Sequence, residues 1–370
     1  MGGATCSIRL SVKEDPREFF DYEEQLELFL RGLRDEATRM IVVKGVRRIG
    51  KSSLIRVGLR LHGSSLYAVF DARAVPVMSA DNVYDVLAHG LRGLLRRARG
   101  LSSRLASLLE RVEGVSVTGF EVRINRREPG VIAGIAEALG EAAGQAGEQV
   151  ILVLDEAQEF SIVPGFSRLL AHIYDYHPGV KLVLAGSEVG LLDRLLGRRN
   201  PRAPLYGRPS LDIEMPRLGP EKAVMFLERG FEEAGVRWPR AYIEEAVARL
   251  DGIPGWLTAY GYYSLVYRDH ARALRRTVEE GAGIVKAELE RFLSNRGAAR
   301  TRYLALLECL AAAPMTWSEA KRCLEAKAMR RFNNAQFTRY LRELRDYGFV
   351  EKRNGEYTLA DPLIRYALRG

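Results

Sequence analysis

The chain has 370 residues, 47% hydrophobic and 28% charged, an ordinary balance for a soluble globular protein with room for two or three domains. No uninterrupted apolar stretch approaches a membrane span and no basic-then-apolar leader opens the chain, so the expectation is a cytoplasmic protein with no membrane segment. Cys6, Cys309 and Cys323 and the five histidines show no metal-ligand spacing, which argues against a metal hydrolase, and the cysteines are read as reduced thiols. The net charge of +9 is uneven: residues 300–370 hold 14 basic and 8 acidic side chains, so most of the excess sits at the C-terminal end and suits a polyanionic partner.

In chain order, a short extension precedes a predicted helix from Pro16 to Leu33, and Met40-Ile-Val-Val43 reads as a buried parallel strand. Gly45-Val46-Arg47-Arg48-Ile49-Gly50-Lys51-Ser52 follows and opens into a helix at Ser53-Leu54. That order is what phosphate binding requires. Glycines let backbone N–H groups of residues 45–53 close around phosphate oxygens, and a helix N-terminus adds a favourable dipole. Lys51 is suited to reach the β/γ-phosphates, and the Ser52 hydroxyl to ligate Mg²⁺. Residues 65–71 form a second predicted strand ending near Asp71 and Arg73. Residues 82–112 read as a long helix or helix pair whose arginines (Arg92, Arg96, Arg97, Arg99, Arg104) suit a solvated face or a nucleic-acid stripe. Residues 115–124 alternate as a hairpin would, with no functional account, before a helix at 131–144.

Gln149 to Leu154 is a continuous apolar strand ending in Asp155-Glu156. Ligand-facing groups of parallel sheets sit at carboxyl ends of strands. Asp155 therefore stands where a Mg²⁺ carboxylate belongs, and Glu156 where a group polarising the attacking water belongs; the plainer alternative is that both merely cap the next helix. Further strands are expected at 181–185 and 211–215, and strands alternating with helices mean an α/β layered sheet. After Gly219 the strands stop. Helices at 220–234, 240–250, 256–267 and about 270–295 are interrupted by a turn at Asp251-Gly-Ile-Pro-Gly255.

The last 75 residues suggest three helices (302–312, from 317 with Thr316 as N-cap, and 334–347). A hairpin over 349–359 follows, with Asn354-Gly355 at its tip. This is the winged-helix order. In its third helix Gln336, Arg339, Arg342 and Arg345 fall on the open face, and Lys352 and Arg353 on the wing, available to double-stranded DNA; winged helices also serve as protein-binding modules. The expected domains are a P-loop domain over 1–215, a helical lid over 216–295 and a winged helix over 296–370.

Together these motifs resemble the archaeal-type P-loop ATPases of the STAND group, relatives of the AAA+ proteins. The resemblance rests on Gly45 to Leu54, Asp71-Ala-Arg73, Asp155-Glu-Ala-Gln158, Gly186-Ser-Glu-Val-Gly190, Leu205-Tyr-Gly-Arg208 and Gly252-Ile-Pro254, and it covers nearly the whole chain. It implies bound ATP or ADP with Mg²⁺, Pro254 in a lid near the nucleotide, and Ser187 as a polar sensor of the γ-phosphate or the water. It also implies that Arg208 stabilises or senses γ-phosphate charge, and it leaves oligomerisation open. Where the family has an arginine in its first helix this chain has Tyr22, which can stack on adenine or pack against the lid. The function these features imply is a slow Mg²⁺-dependent ATPase switch linked to the winged helix. The alternative is a DNA-binding regulator or scaffold in which the nucleotide is structural and not turned over.

Overall fold

The computed structural model describes residues 8, 10–76, 78–98, 100–128 and 130–369. Cys6, Arg99 and most of the N-terminal extension's first residues lie outside the described residues. In chain order the elements are α1 (Glu23–Arg34), β1 (Met40–Lys44), α2 (Lys51–His62), β2 (Tyr67–Asp71), α3 (Val83–Arg97), α4 (Ser102–Glu110), β3 (Val115–Thr118), β4 (Glu121–Ile124) and α5 (Val131–Ala146). Next come β5 (Val150–Asp155), α6 (Phe166–Tyr176), β6 (Val180–Gly186), α7 (Val189–Leu195) and β7 (Leu211–Glu214). The helices α8 (Pro220–Glu233), α9 (Arg240–Leu250), α10 (Pro254–Tyr267) and α11 (His270–Ser294) follow. The chain closes with α12 (Arg300–Ala312), α13 (Trp317–Ala328), α14 (Asn334–Asp346), β8 (Val350–Arg353), β9 (Glu356–Leu359) and α15 (Ile364–Ala367).

Five strands form one parallel sheet in the order β2-β5-β6-β1-β7. Its central strands β1, β5 and β6 are buried on both faces, and the period-2 alternation of side chains divides them between two cores. Ile41, Val43, Ile151, Val153 and Val183 join a core with α1, α2 and the helices after residue 220. Met40, Val42, Leu152, Leu154 and Leu182 join a second core with α3 to α6. Lys181 is fully buried, yet its ammonium is satisfied: it donates to the carbonyls of Gly32, Leu33 and Asp35 at the end of α1 (2.6, 2.9 and 2.8 Å).

The register sets the height of the site. Asp71 pairs with Asp155, Asp155 with Ala185, and Lys44 with Gly186, so the carboxyl ends of four strands finish level.

Two local expectations are revised, the first helix and the state of the cysteines, and the 115–124 hairpin is found where it was expected. The helix expected from Pro16 is broken: a 3-10 turn at Pro16–Glu18 is followed by left-handed Asp21 and Tyr22 (φ 57° and 63°), and α1 begins only at Glu23. The hairpin β3–β4 packs on α3 and buries Val115 and Val122, and its Glu121 pairs with Arg92 (3.0 Å) and Arg96 (3.5 Å). Arg97 lies over the Tyr67 ring, whereas Arg96 stays on the solvated face. Finally, Cys309 and Cys323 are not reduced thiols but a disulfide. They sit on facing sides of α12 and α13, which turn back on each other and bring the Cα atoms within 6.1 Å.

The C-terminal module has three helices and the β8–β9 hairpin, with Thr316 and Glu319 forming a reciprocal capping box at the start of α13. It joins the first core through Tyr303, Leu344 and Phe349, so the apolar interior runs from the sheet into the winged helix.

Candidate nucleotide site

The loop between β1 and α2 is held by close packing. A side chain at Gly45 would strike the Met215 carbonyl oxygen and Ile49, each 2.9 Å from the added carbon, and Gly50 adopts φ +104°, which favours glycine. Lys51 is buried, and its Nζ donates to the carbonyls of Gly45 and Val46 (2.9 and 3.0 Å). Burial pushes its pKa down, against the pull of Glu156 and Asp155.

Ser52, at the first turn of α2, donates its hydroxyl to Asp155 Oδ2 at 2.6 Å, and Asp155 Oδ1 accepts the Glu156 amide at 3.1 Å. A hydroxyl and a carboxylate are hard oxygen donors of the kind Mg²⁺ takes, so the pair fits that ion. Glu156 stands at the N-cap position of the following 3-10 turn, but its side chain makes no capping bond. Its Oε2 accepts from Gln158 Nε2 (2.7 Å), the Ser187 amide (3.0 Å) and the Ser187 hydroxyl (2.8 Å). Burial pushes the Glu156 carboxyl up, but Lys51 and these hydrogen bonds outweigh it and hold it at about 2. All three hydrogen bonds fall on one oxygen, so Oε1 has no protein partner among the described residues and Glu156 is an ionised acceptor on the cavity wall.

The cavity holds about 1000 Å³, at the upper end of the usual range for small-molecule sites. Its walls come from the N-terminal segment, the phosphate loop, the ends of β5 and β6, α10 and α11, and the winged helix through Tyr347 and Phe349. Tyr22 lines it but is itself buried, and its hydroxyl donates to the Pro216 carbonyl at 2.8 Å, so it packs toward the helical region. Pro254 lines it at the first turn of α10, where the Gly255 amide donates to the Arg48 carbonyl at 2.9 Å.

Several residues were not singled out by local pattern as site groups. Arg73 forks onto Asp71 (both bonds 2.9 Å) and reaches Asp155 Oδ2 (2.6 Å) and Ser52 Oγ (3.0 Å); its signal was the Asp-x-Arg at a strand end. Arg47 and Arg48, within the phosphate loop itself, line the cavity and tie it to the helices and the winged helix through their guanidinium groups. Arg47 donates to the Tyr347 carbonyl (3.0 Å) and to Glu188. Arg48 donates to Glu288 of α11 (2.6 Å), stands 3.7 Å from Asp361 and lies 4.3 Å over the Trp256 ring. Nothing local in the sequence marks Glu288 or Asp361, because they meet the loop only through tertiary packing.

Arg208 is not brought to the site. It does not line the cavity, and it pairs with Asp175 at the end of α6, just ahead of β7. In the winged helix Arg339, Arg342 and Arg345 are exposed and Gln336 half-buried, while Asp346 at the end of α14 pairs with Arg194 of α7. On the wing, Lys352 lies 5.6 Å over Tyr357 and Arg353 bonds Asp251 at 3.1 Å and Glu351 at 2.5 Å.

Among the described residues no helix is long and apolar enough to cross a membrane, and no cluster of three or more histidine, cysteine or acidic side chains is arranged to hold a metal. The model of an ATPase domain found predominantly in Archaea matches residues 19–259, and the model of the MCM protein C-terminal winged helix-turn-helix domain matches residues 297–360. A Walker-type ATPase of Pyrococcus abyssi has a similar structure over 98% of this chain and 100% of its own, with 28% identity and a TM-score of 0.80. Cdc6p of Pyrobaculum aerophilum aligns over 98% of this chain and 95% of its own (16% identity, TM-score 0.45). The Aeropyrum pernix ORC1 protein, solved in complex with DNA, aligns over 96% and 93% (18%, 0.45). No curated protein matches. The P-loop architecture and the span of the first match place the conclusion beyond the site alone: this chain belongs to the family of ATPase domains predominantly from Archaea.

Proposed function

We propose that the protein is a slow Mg²⁺-dependent ATPase switch of the STAND group, working in the cytoplasm. In this reading residues 1–215 bind the nucleotide, 216–295 form a lid and 296–370 read its state. One observation carries the proposal: Ser52, Asp155, Glu156 and Ser187 form a continuous hydrogen-bonded line across the ends of three strands, and Ser52, Glu156 and Ser187 line the same cavity as Lys51. Phosphoryl transfer to water needs positioning and charge neutralisation rather than covalent chemistry, and this line supplies both. The amides from Arg47 to Ser53 and Lys51 hold the phosphates. Ser52 and Asp155 would hold Mg²⁺, which neutralises phosphate charge when bound. Glu156 orients the attacking water, with Ser187 fixing the carboxylate.

Tyr347 and Phe349 supply part of the cavity wall, so occupancy bears directly on how the winged helix docks. The exposed Arg339, Arg342 and Arg345 favour double-stranded DNA as its partner. A second reading keeps the DNA contact and makes the nucleotide structural; a steep fall of DNA affinity with salt but no turnover favours it. The deciding experiment is steady-state ATP turnover of wild type and Glu156→Gln at equal nucleotide occupancy. The expected result is a drop of roughly a hundredfold or more with binding retained. Equal background turnover in both removes the ATPase reading.

A further inference from the structure

Arg73 makes more bonds than its anchoring requires. Its Nε and Nη2 already form a fork with Asp71 (2.9 Å each), and the Asp71 carboxylate also accepts the Arg73 amide at 2.9 Å. The same Nη2 then reaches Asp155 Oδ2 at 2.6 Å and Ser52 Oγ at 3.0 Å. Those two atoms belong to the pair that suits a divalent cation.

Proton counting sharpens the point. The Ser52 hydroxyl has one proton, and it goes to Asp155. What Ser52 can offer a metal is a lone pair, and here a lone pair accepts from Arg73. Oγ keeps a second lone pair, so a guanidinium in this position and a cation bound directly to Ser52 compete for the same place beside the Asp155 carboxylate rather than for one electron pair. Nη2, moreover, has two protons for three acceptors, Asp71, Asp155 and Ser52, so one of these bonds is shared, and the contact to Ser52 is the longest. Releasing Ser52 costs little while the Asp71 fork keeps the side chain tethered. The Arg73 side chain is 50% exposed, which leaves it room to swing. Asp155, by contrast, is buried beside Glu156, and its shortest contact to Arg73 is the one at 2.6 Å.

We infer that Arg73 is a resident counter-cation that occupies the Mg²⁺ position at Ser52 and Asp155, supports nucleotide binding without metal, and yields Ser52 when the metal enters. The inference rests on the nucleotide reading above and adds a positioning residue to it. Its signature is a pair of opposite effects. Removing a competitor tightens metal, whereas removing a phosphate-side cation weakens metal-free nucleotide binding. Simple damage to the site would weaken both.

The test is titration of a fluorescent ADP analogue in EDTA and in Mg²⁺, with Mn²⁺ binding to the ADP complex followed by electron paramagnetic resonance. Arg73→Ala is expected to weaken binding in EDTA about tenfold while lowering the Mn²⁺ dissociation constant several-fold. Arg73→Lys keeps the charge but cannot form the fork, and should fall between the two on both measurements. It carries the same readouts if the alanine variant does not fold. An unchanged ratio of EDTA to Mg²⁺ affinity, or weaker Mn²⁺ binding in the variants, overturns the inference and leaves the nucleotide reading standing. Failure of wild type to bind the analogue even with Mg²⁺ overturns both.

Discussion

Two regions meet at the same cavity and are built on different principles. On one side, Lys51, Ser52, Asp155 and Glu156 are placed by strand register, with each side chain one or two residues from the end of a buried strand or the start of a helix. On the other, Arg47, Arg48, Glu288, Trp256 and Asp361 come from four separate elements or turns and meet only after the helical region and winged helix have docked. The first kind of site keeps its geometry when its periphery moves. The second is a joint whose existence depends on docking. A nucleotide switch needs both, because a rigid phosphate site transmits nothing unless a conditional contact touches it.

If the winged helix is a separately braced body, breaking the Cys309–Cys323 disulfide should give the largest stability loss. A sequence separation of 14 corresponds to about 3 kcal/mol in the chain-entropy picture. Melting of the full chain with and without reductant checks this, and an unchanged melting curve would mean that α12 and α13 are held by packing alone. The joint itself is tested by Asp361→Ala. That carboxylate accepts the buried Trp256 indole N–H at 3.0 and 3.1 Å and the Leu363 amide at 2.9 Å. Its removal leaves those donors unsatisfied and should cost about 2 kcal/mol, with faster protease cleavage between α11 and α12. If the same change abolished phosphate binding, the two regions would be one unit and the contrast would fail.

The third test is a pH dependence. Burial, set against the neighbouring Arg47, pushes the Glu188 carboxyl up to about 7. The folded protein therefore keeps a proton that the unfolded chain releases in the ordinary carboxylate range, and stability from this group falls as pH rises from that range through about 7. Glu188→Gln should flatten that part of the stability curve, measured by denaturant unfolding at a series of pH values. A slope identical to that of wild type would show that Glu188 is ionised throughout.

How far the sequence could be read follows the same division. The phosphate loop and the Asp155-Glu156 pair were legible because each lies in one short segment with a strand before it, and the chain itself fixes the geometry. Thr316 and Asn354-Gly355 were legible for a similar reason, since capping and tight turns are local chemistry. The break at Asp21 and Tyr22 was hidden because helical spacing of apolar residues continues across it, although two left-handed residues intervene. The cysteine pairing was hidden because 14 residues of helix, turn and helix fold back on themselves. Arg208 carried a motif without an address. Its position in the pattern says nothing of which edge of the sheet it occupies, and the structure sets it beside Asp175.

The strand order has a consequence for how the protein is made. β1 and β5 never touch; β6 lies between them, and its own end supplies Ser187. A growing chain that has reached residue 179 already contains the phosphate loop, Asp155 and Glu156, yet it lacks the spacer that sets their distance. Binding competence thus arrives with one late central strand, and truncated products are denied the ligand that would stabilise them.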